Sequence, residues 1–306
     1  MHVILTSNQI QDPIYSNTLS TLNTSTSLTR AGSRAQISGV KPPLYVQNSI
    51  DNDWPIKNGF NLIEASIYRE GVSLVEEDFN AGCDCDPQGC ENASDCMKAG
   101  TLKDVYLEGS AAIFECNQNC ACDENCPNKL VQKGRKVPLE IFKTHNRGWG
   151  LRTLVALRKG EFVDTYKGEL ITEEEASRRD AKRQVKDVYT FALDKFHGDN
   201  PDNERLRDNK YVIDGEVLGG ITRFINHSCD PNLRIFAVSY NHADFCIYDL
   251  AFFSTEDVPA RTELTFDYTG QEASDSIPDR TSSGVSKEKM TRCLCGSENC
   301  KGVLWM

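Results

Sequence analysis

Asn226-His227-Ser228-Cys229-Asp230-Pro231-Asn232 contains a thiol with no local partner. Near the C-terminus Cys293, Cys295 and Cys300 form a trio that lacks a fourth ligand, more than sixty residues further on. A structural zinc is closed tetrahedrally by four thiolate or imidazole ligands. If Cys229 completes the trio, one metal ties the middle of the chain to its end. The polar Asn226-His227 pair then sits beside the seam, and an active site there exists only when the tail folds back over it. Cys246 lies inside the apolar run Phe245-Cys246-Ile247-Tyr248 and reads as core packing instead.

Working outward, eight of the thirteen cysteines fall in one block, Cys83-x-Cys85-x4-Cys90-x5-Cys96 followed by Cys116-x3-Cys120-x-Cys122-x3-Cys126. In a reducing compartment such clusters read as metal ligands rather than disulfides. The two Cys-x-Cys pairs are too tight for a row of independent fingers and favour a compact cluster with bridging thiolates. Closed all-thiolate sites leave no open position for chemistry, so this block is structural. It replaces a hydrophobic core in a segment that has almost none.

The bulk composition is that of a soluble globular protein, 39% hydrophobic and 26% charged over 306 residues. No run approaches the ~18 apolar residues of a membrane span, and no signal-peptide pattern opens the chain, so an intracellular protein is expected. A net charge of −11 argues against phosphate-backbone binding as the main role and suits a cationic partner such as a Lys/Arg-rich peptide.

The organisation follows from composition and period. Residues 1–45, rich in Ser, Thr and Asn, read as a disordered arm, and 46–80 as a segment packing on the main domain. The cysteine block occupies 81–137. Residues 138–270 carry short β-like pieces around Leu139, Phe162, Tyr189 and Tyr211, with longer apolar runs at 245–253 and 263–268. One helix is expected over 172–185, capped by Thr172 with Glu175 as the other half of a capping box. A Ser/Asp/Gly-rich linker spans 271–290, and 291–306 forms the terminal metal module.

Several motifs now stand in order: the Cys-rich block, Arg147-Gly148-Trp149-Gly150, Asn226-His227-Ser228-Cys229, Glu263-Leu264-Thr265-Phe266-Asp267-Tyr268 and the terminal Cys-x-Cys-x4-Cys. Together they resemble the SET-domain lysine methyltransferases of the Su(var)3-9 type, flanked by pre-SET and post-SET zinc modules. The run from Asp187 to Phe196 is similar to the fungal enzymes acting on histone H3 lysine 9. The resemblance covers roughly residues 60–305 and implies a mainly β fold of small curved sheets with few helices. It implies S-adenosylmethionine as cofactor, two or three zinc ions in the first block and one at the C-terminal site. No G-x-G-x-x-G follows a strand, which disfavours a Rossmann-type binder. By resemblance Arg147, Gly148, Trp149, Tyr189, Arg223, Asn226, His227 and Trp305 hold the cofactor. Tyr268 is then the catalytic tyrosine, Tyr189 a second channel tyrosine, and Phe266 the residue that sets product number. Phe191 and Asp194 would meet the substrate peptide, the N-terminal tail of histone H3. The nucleus, and heterochromatin within it, is the location this implies.

Two departures from the family pattern are visible. The related block usually holds nine cysteines around three zincs, whereas eight occur here, with Ser94 (or Lys98) at the missing position. No chromodomain is recognisable, so recruiting partners cannot be named from the sequence. The rival readings are the same chemistry on another lysine, a catalytically dead zinc-stapled module, and a zinc-finger nucleic-acid binder. The last is disfavoured by charge and by the absence of Cys2His2 spacing. Neither a membrane nor a specific nucleic acid is expected as partner.

Overall fold

The computed structural model describes residues 33–37, 39–56, 59–74, 82, 112–182, 189–196, 204, 210–241, 244–269 and 291–304. Cys83, Cys85, Cys90, Cys96, Trp305, the linker at 271–290 and the first 32 residues lie outside them. Among the described residues no helix is long and apolar enough to cross a membrane.

The architecture is a set of small sheets, as expected. The largest has six strands in the order Ser33–Ile37, Leu44–Asn48, Leu139–Lys143, Trp149–Thr153, Glu263–Phe266 and Asn226–His227. A second has the order Thr190–Ala192, Tyr211–Asp214, Glu169–Thr172, Ile67–Tyr68. A third has the order Ile113–Phe114, Leu233–Ser239, Asp249–Ser254, Phe162–Thr165. Alternating apolar residues turn inward, and Leu44, Val46, Leu139, Ile141, Leu151 and Leu264 meet in one core, each fully buried.

Three sequence expectations are corrected. Residues 33–48, assigned mostly to a polar arm, form a hairpin whose Ile37, Val40, Leu44 and Val46 enter the core. A handful of apolar side chains at strand period outweighs the polar average of the segment. The helix covers Glu173–Asp180, with Thr172 Oγ1 accepting the Glu175 N–H at 3.3 Å. Glu175 does not return the capping bond; its carboxylate is held by Arg178 and Arg179. The apolar run from Phe245 enters its strand only at Asp249, because the Asp244 carboxylate accepts the Cys246 N–H and turns the chain first. Cys246 is buried in the core, as its neighbours suggested.

The cysteine block is fastened to the sheets by Glu115. This carboxylate, 3% exposed, accepts N–H bonds from Leu130, Val131 and Gln132 at 2.7, 2.6 and 3.1 Å. The adjoining Ile113–Phe114 strand runs parallel to Val238 and Ser239. The module is thereby continuous with the third sheet, as Glu115, just before Cys116, holds both sides of the joint.

Candidate active site

The opening stretch is sewn along its whole length to the strand Glu263–Phe266. Asn226 and His227 pair in parallel with Thr265 and Phe266, and the Ser228 N–H bonds to the Phe266 carbonyl at 3.1 Å. Asn232 closes the far end: its amide donates to the Glu263 carbonyl at 2.8 Å and accepts the Thr265 N–H at 2.9 Å. Two segments distant in sequence thus form one platform, and Tyr268 leaves its edge.

His227 links two functions. Its Nδ1 accepts the Tyr268 backbone N–H at 3.1 Å, and its Nε2 lies 3.3 Å from Cys229 Sγ. Since Nδ1 accepts, Nε2 carries the proton and points it at the sulfur. Burial lowers the imidazole pKa, against the pull of Asp267, which keeps the ring neutral as this pairing requires.

Cys229, Cys293, Cys295 and Cys300 place their sulfurs within 4.8 Å of one another, and Cys229 and Cys293 are 3.9 Å apart. A tetrahedral zinc with bonds of about 2.3 Å requires sulfurs about 3.8 Å apart, so the four donors fit that ion. The terminal hairpin Thr291–Arg292 with Val303–Leu304 presents Cys293, Cys295 and Cys300, and Cys229 follows the strand Asn226–His227. Backbone N–H groups of Lys301 and Gly302 donate to Cys229 and Cys300 sulfurs at 3.3 and 3.4 Å. Burial pushes the Cys293 thiol up to about 12, so a cation is needed to hold it as thiolate near neutrality. In the first block Cys116, Cys122 and Cys126 form a second group within 4.8 Å, and Asn128 donates to Cys116 Sγ. Cys120 is described but does not join that trio.

Beside the platform, Arg147 and Trp149 sit on a tight turn. Gly148 adopts φ +69°, and Thr144 Oγ1 accepts the Arg147 N–H at 2.9 Å. A side chain at Gly150 would come within 2.9 Å of Glu263 Oε1, which explains the glycine. Glu263 is the organiser that the motif reading left without a role. It binds Arg147 Nη2 at 2.5 Å through one oxygen and Asn226 Nδ2 at 2.9 Å through the other, while Asn226 Nδ2 also reaches the Trp149 carbonyl. Two buried donors in this corner, Arg147 Nη1 and Trp149 Nε1, find no acceptor among the described residues. Buried donors are rarely left so, and an acceptor-bearing ligand would satisfy both.

An aromatic channel adjoins this corner. Phe266 lies 4.6 Å from the Tyr268 ring and 6.0 Å from Phe191, with Phe252 behind it at 5.2 Å. Tyr166 packs at 4.6 Å against Phe191 and donates its hydroxyl to the Tyr189 carbonyl at 2.8 Å. Tyr166 was missed in the sequence, since it follows a strand without any motif; its place at the end of the run Phe162 to Tyr166 was the only signal. Burial drives its pKa far above the usual phenol range, with Arg223 opposing, so it stays protonated. The Tyr268 hydroxyl donates to the Ile225 carbonyl at 2.7 Å. Arg223 stacks between the rings of Phe60 and Tyr189, each 4.1 Å away, and bonds the Gly215 carbonyl, so it braces Tyr189. Thr190–Ala192 is an edge strand, paired only with Tyr211–Asp214 among the described residues. Phe191 faces the channel from it, and Asp194 is exposed just beyond.

A platform carrying an aromatic channel and closed by a cysteine-rich tail is the arrangement of the SET class. The SET domain model matches residues 148–269 and the Pre-SET motif model residues 37–129. The chain belongs to the SET-domain histone-lysine N-methyltransferases of the Su(var)3-9 type. It is 48% identical over 308 residues to the H3 lysine-9 specific KMT1 of Fusarium mangiferae, covering 86% of this chain and 88% of that protein. It is 40% identical over 299 residues to the H3 lysine-9 specific dim-5 of Neurospora crassa, with the same 86% and 88% coverage. The solved Neurospora DIM-5 structure superposes with a TM-score of 0.69 at 39% identity, covering 82% of this chain and 99% of that one. Arabidopsis thaliana SUVH6, solved in complex with SAM, gives 0.65 at 30% identity over 88% of this chain and 54% of that one.

Proposed function

We propose that this enzyme trimethylates lysine 9 of histone H3, with S-adenosylmethionine as donor, in the nucleus at heterochromatin. The observation that carries the chemistry is the channel of Tyr166, Phe191, Phe266 and Tyr268 abutting a corner with two unsatisfied donors. The lysine-9 assignment is supported by two H3 lysine-9 specific relatives that match most of this chain.

Arg147 and Trp149 would hold the cofactor through their free N–H groups, with Gly148, Asn226 and His227 shaping its bed and Trp305 covering it. When bound, the cofactor would supply a sulfonium methyl, to which a neutral lysine amine would bond in line while the thioether leaves with the sulfur–carbon electron pair. The protein's task is to deliver that amine, because a lysine of pKa ~10.4 is almost wholly charged at neutral pH. Ring walls without an ionisable acid desolvate the ammonium and lower its pKa, as does a neighbouring cation. The hydroxyl protons of Tyr166 and Tyr268 are committed to backbone carbonyls. Their oxygens therefore face the channel as acceptors, able to orient the amine and stabilise partly positive methyl hydrogens. Phe266 offers no hydroxyl to anchor a water, leaving the methylated amine room to rotate for a third transfer. The edge strand at Thr190–Ala192 would receive the histone tail by strand addition, with Asp194 meeting a basic residue.

One zinc at Cys229, Cys293, Cys295 and Cys300 would lock the tail over the channel. Two or three more would be held by Cys83, Cys85, Cys90, Cys96, Cys116, Cys120, Cys122 and Cys126. Incubating the zinc-loaded protein with labelled cofactor and a panel of histone-tail peptides tests the reading. Label should enter the peptide carrying lysine 9 up to the trimethyl state; absence of transfer to every lysine peptide would refute it.

A further inference from the structure

A second cavity, of about 130 Å³, opens beside the strand Ile67–Tyr68, where Leu233–Ser239 ends and Asp249–Ser254 begins. Tyr68 and Leu74 form its rim, 38% and 39% exposed, and Tyr248, at 6%, lies inside. Tyr240 and Asp249 complete the polar lining, against an apolar wall that includes Leu170 and Val238.

Asp249 is the unusual member. It opens its strand opposite Val238, and no described residue gives its carboxylate a hydrogen bond or an ion pair. Burial pushes it up to about 6, opposed by Lys167 and reinforced by Glu115 and Asp164. Lys167 does not neutralise it, because that ammonium is 2.5 Å from Asp164. Of the other ionisable groups lining the cavity, Tyr68, Tyr240 and Tyr248 are phenols, and burial drives the Tyr248 pKa up. Asp249 is half-buried at the cavity wall, and a cation beside it would offset the desolvation that raises its pKa. Phenol rings add attraction for the same charge through their faces.

We propose that this cavity receives an alkylammonium group, with Asp249 as counter-charge and Tyr68, Tyr240 and Tyr248 as walls, and that its occupant is a lysine side chain of a basic peptide. The chemistry excludes the other classes. A divalent metal needs several oxygen ligands, and among the described residues only one carboxylate lines the space. An anion would be repelled, and a neutral ligand would leave the acid uncompensated. A volume near that of an apolar cavity of about 150 Å³ that accepts benzene fits an ammonium head with its methyls or last methylenes. The chain's net charge of −11 steers basic peptides toward it.

The cavity also touches the substrate edge. Tyr248 accepts the Lys195 N–H at 2.8 Å, and its ring lies 5.2 Å from Phe196. Both follow Asp194 on the segment leaving Thr190–Ala192. An occupant pressing on Tyr248 therefore steadies the segment on which a tail would add. The binding claim stands apart from the methyl-transfer reading, because it is read without cofactor.

The test is calorimetric titration of the zinc-loaded full chain, without cofactor. The probes are Nε-trimethyl-lysine amide, lysine amide, the uncharged norleucine amide, spermidine and a Lys/Gly/Ser peptide. The lysine-bearing probes should bind wild type, norleucine amide should not bind, and Asp249→Asn should weaken the charged probes at least tenfold. Circular dichroism verifies the fold of each variant; if Asp249→Asn is misfolded, Tyr240→Leu must show the same selective loss. Equal binding of norleucine amide, or unchanged binding in a folded Asp249→Asn, overturns the site. Spermidine binding more tightly than the peptide overturns the assignment of its occupant.

Discussion

The two sulfur groups of this molecule use the same ligands for opposite ends. Cys116, Cys122 and Cys126 gather within a span of about one turn of loop, beside Glu115. Cys229 meets Cys293, Cys295 and Cys300 across more than sixty residues of sequence. A locally closed group gives its segment a core and can be lost with local damage. A group closed over long range transmits its integrity to whatever lies at the seam, which here is His227 and, through its Nδ1, the backbone of Tyr268. Ligand identity sets the metal; sequence separation sets what the metal controls.

The sharpest way to break this contrast is a pair of substitutions. Cys293→Ser should lower methyl transfer by about 100-fold or more with far-UV circular dichroism unchanged, since it opens the tail. Cys122→Ser should instead lower the melting temperature and yield while the surviving fraction keeps its kcat. If the two variants behave alike, separation along the chain has no bearing on function. Next in size, Tyr268→Phe should reduce kcat by about 10²-fold while the C-terminal zinc content, measured by metal analysis, stays full. That result would separate the chemistry from the seam that supports it. Arg147→Ala should raise the cofactor KM about tenfold with a smaller change in kcat, because it removes a binding donor and leaves Glu263 without its cation. Phe266→Tyr should leave total turnover nearly intact and shift products toward mono- and dimethyl-lysine, read by mass spectrometry.

The smallest effect concerns stability alone. Burial pushes the Asp249 carboxyl up to about 6 in the folded chain, against 3.8 for a free carboxyl, so the folded chain holds the extra proton between those values. The cost of the buried charge is absent below 3.8, grows as pH rises, and is complete above about 6. Asp249→Asn should therefore stabilise the protein by about 3 kcal/mol at pH 8 and leave it nearly unchanged at pH 3.5. An increment that is the same at both pH values would show that packing, not charge, is responsible.

The sequence was most legible where chemistry needs rare residues at fixed spacing. Cys229 could be joined to its distant trio because four ligands are required and three were in view. The short strands were legible from alternation, and the helix start from Thr172. What escaped was whatever depends on contacts that spacing does not encode. Tyr166 enters the channel only because its strand ends against Phe191, and Glu263 organises Arg147 and Asn226 only once three strands are side by side. The hairpin at Ser33–Ile37 was hidden by polar neighbours, its four inward residues being too few to move an average. Asp249 gave no sign at all, since a lone acid in an apolar run stands out only when no described residue is found to bond its carboxylate.

The parallel pairing of Asn226 and His227 with Thr265 and Phe266 also dictates when the enzyme can first work. On the ribosome Arg147 and Trp149 emerge early, and the opening stretch follows, but neither has a platform until Glu263 to Phe266 has cleared the exit. At about 5–20 residues per second, Cys300 arrives seconds after Cys229. Throughout that interval the nascent chain holds Cys229 without its three partner thiols; on the proposed reading it would have no turnover. Activity switches on in one late event, so a prematurely terminated polypeptide is silent rather than weakly and indiscriminately active.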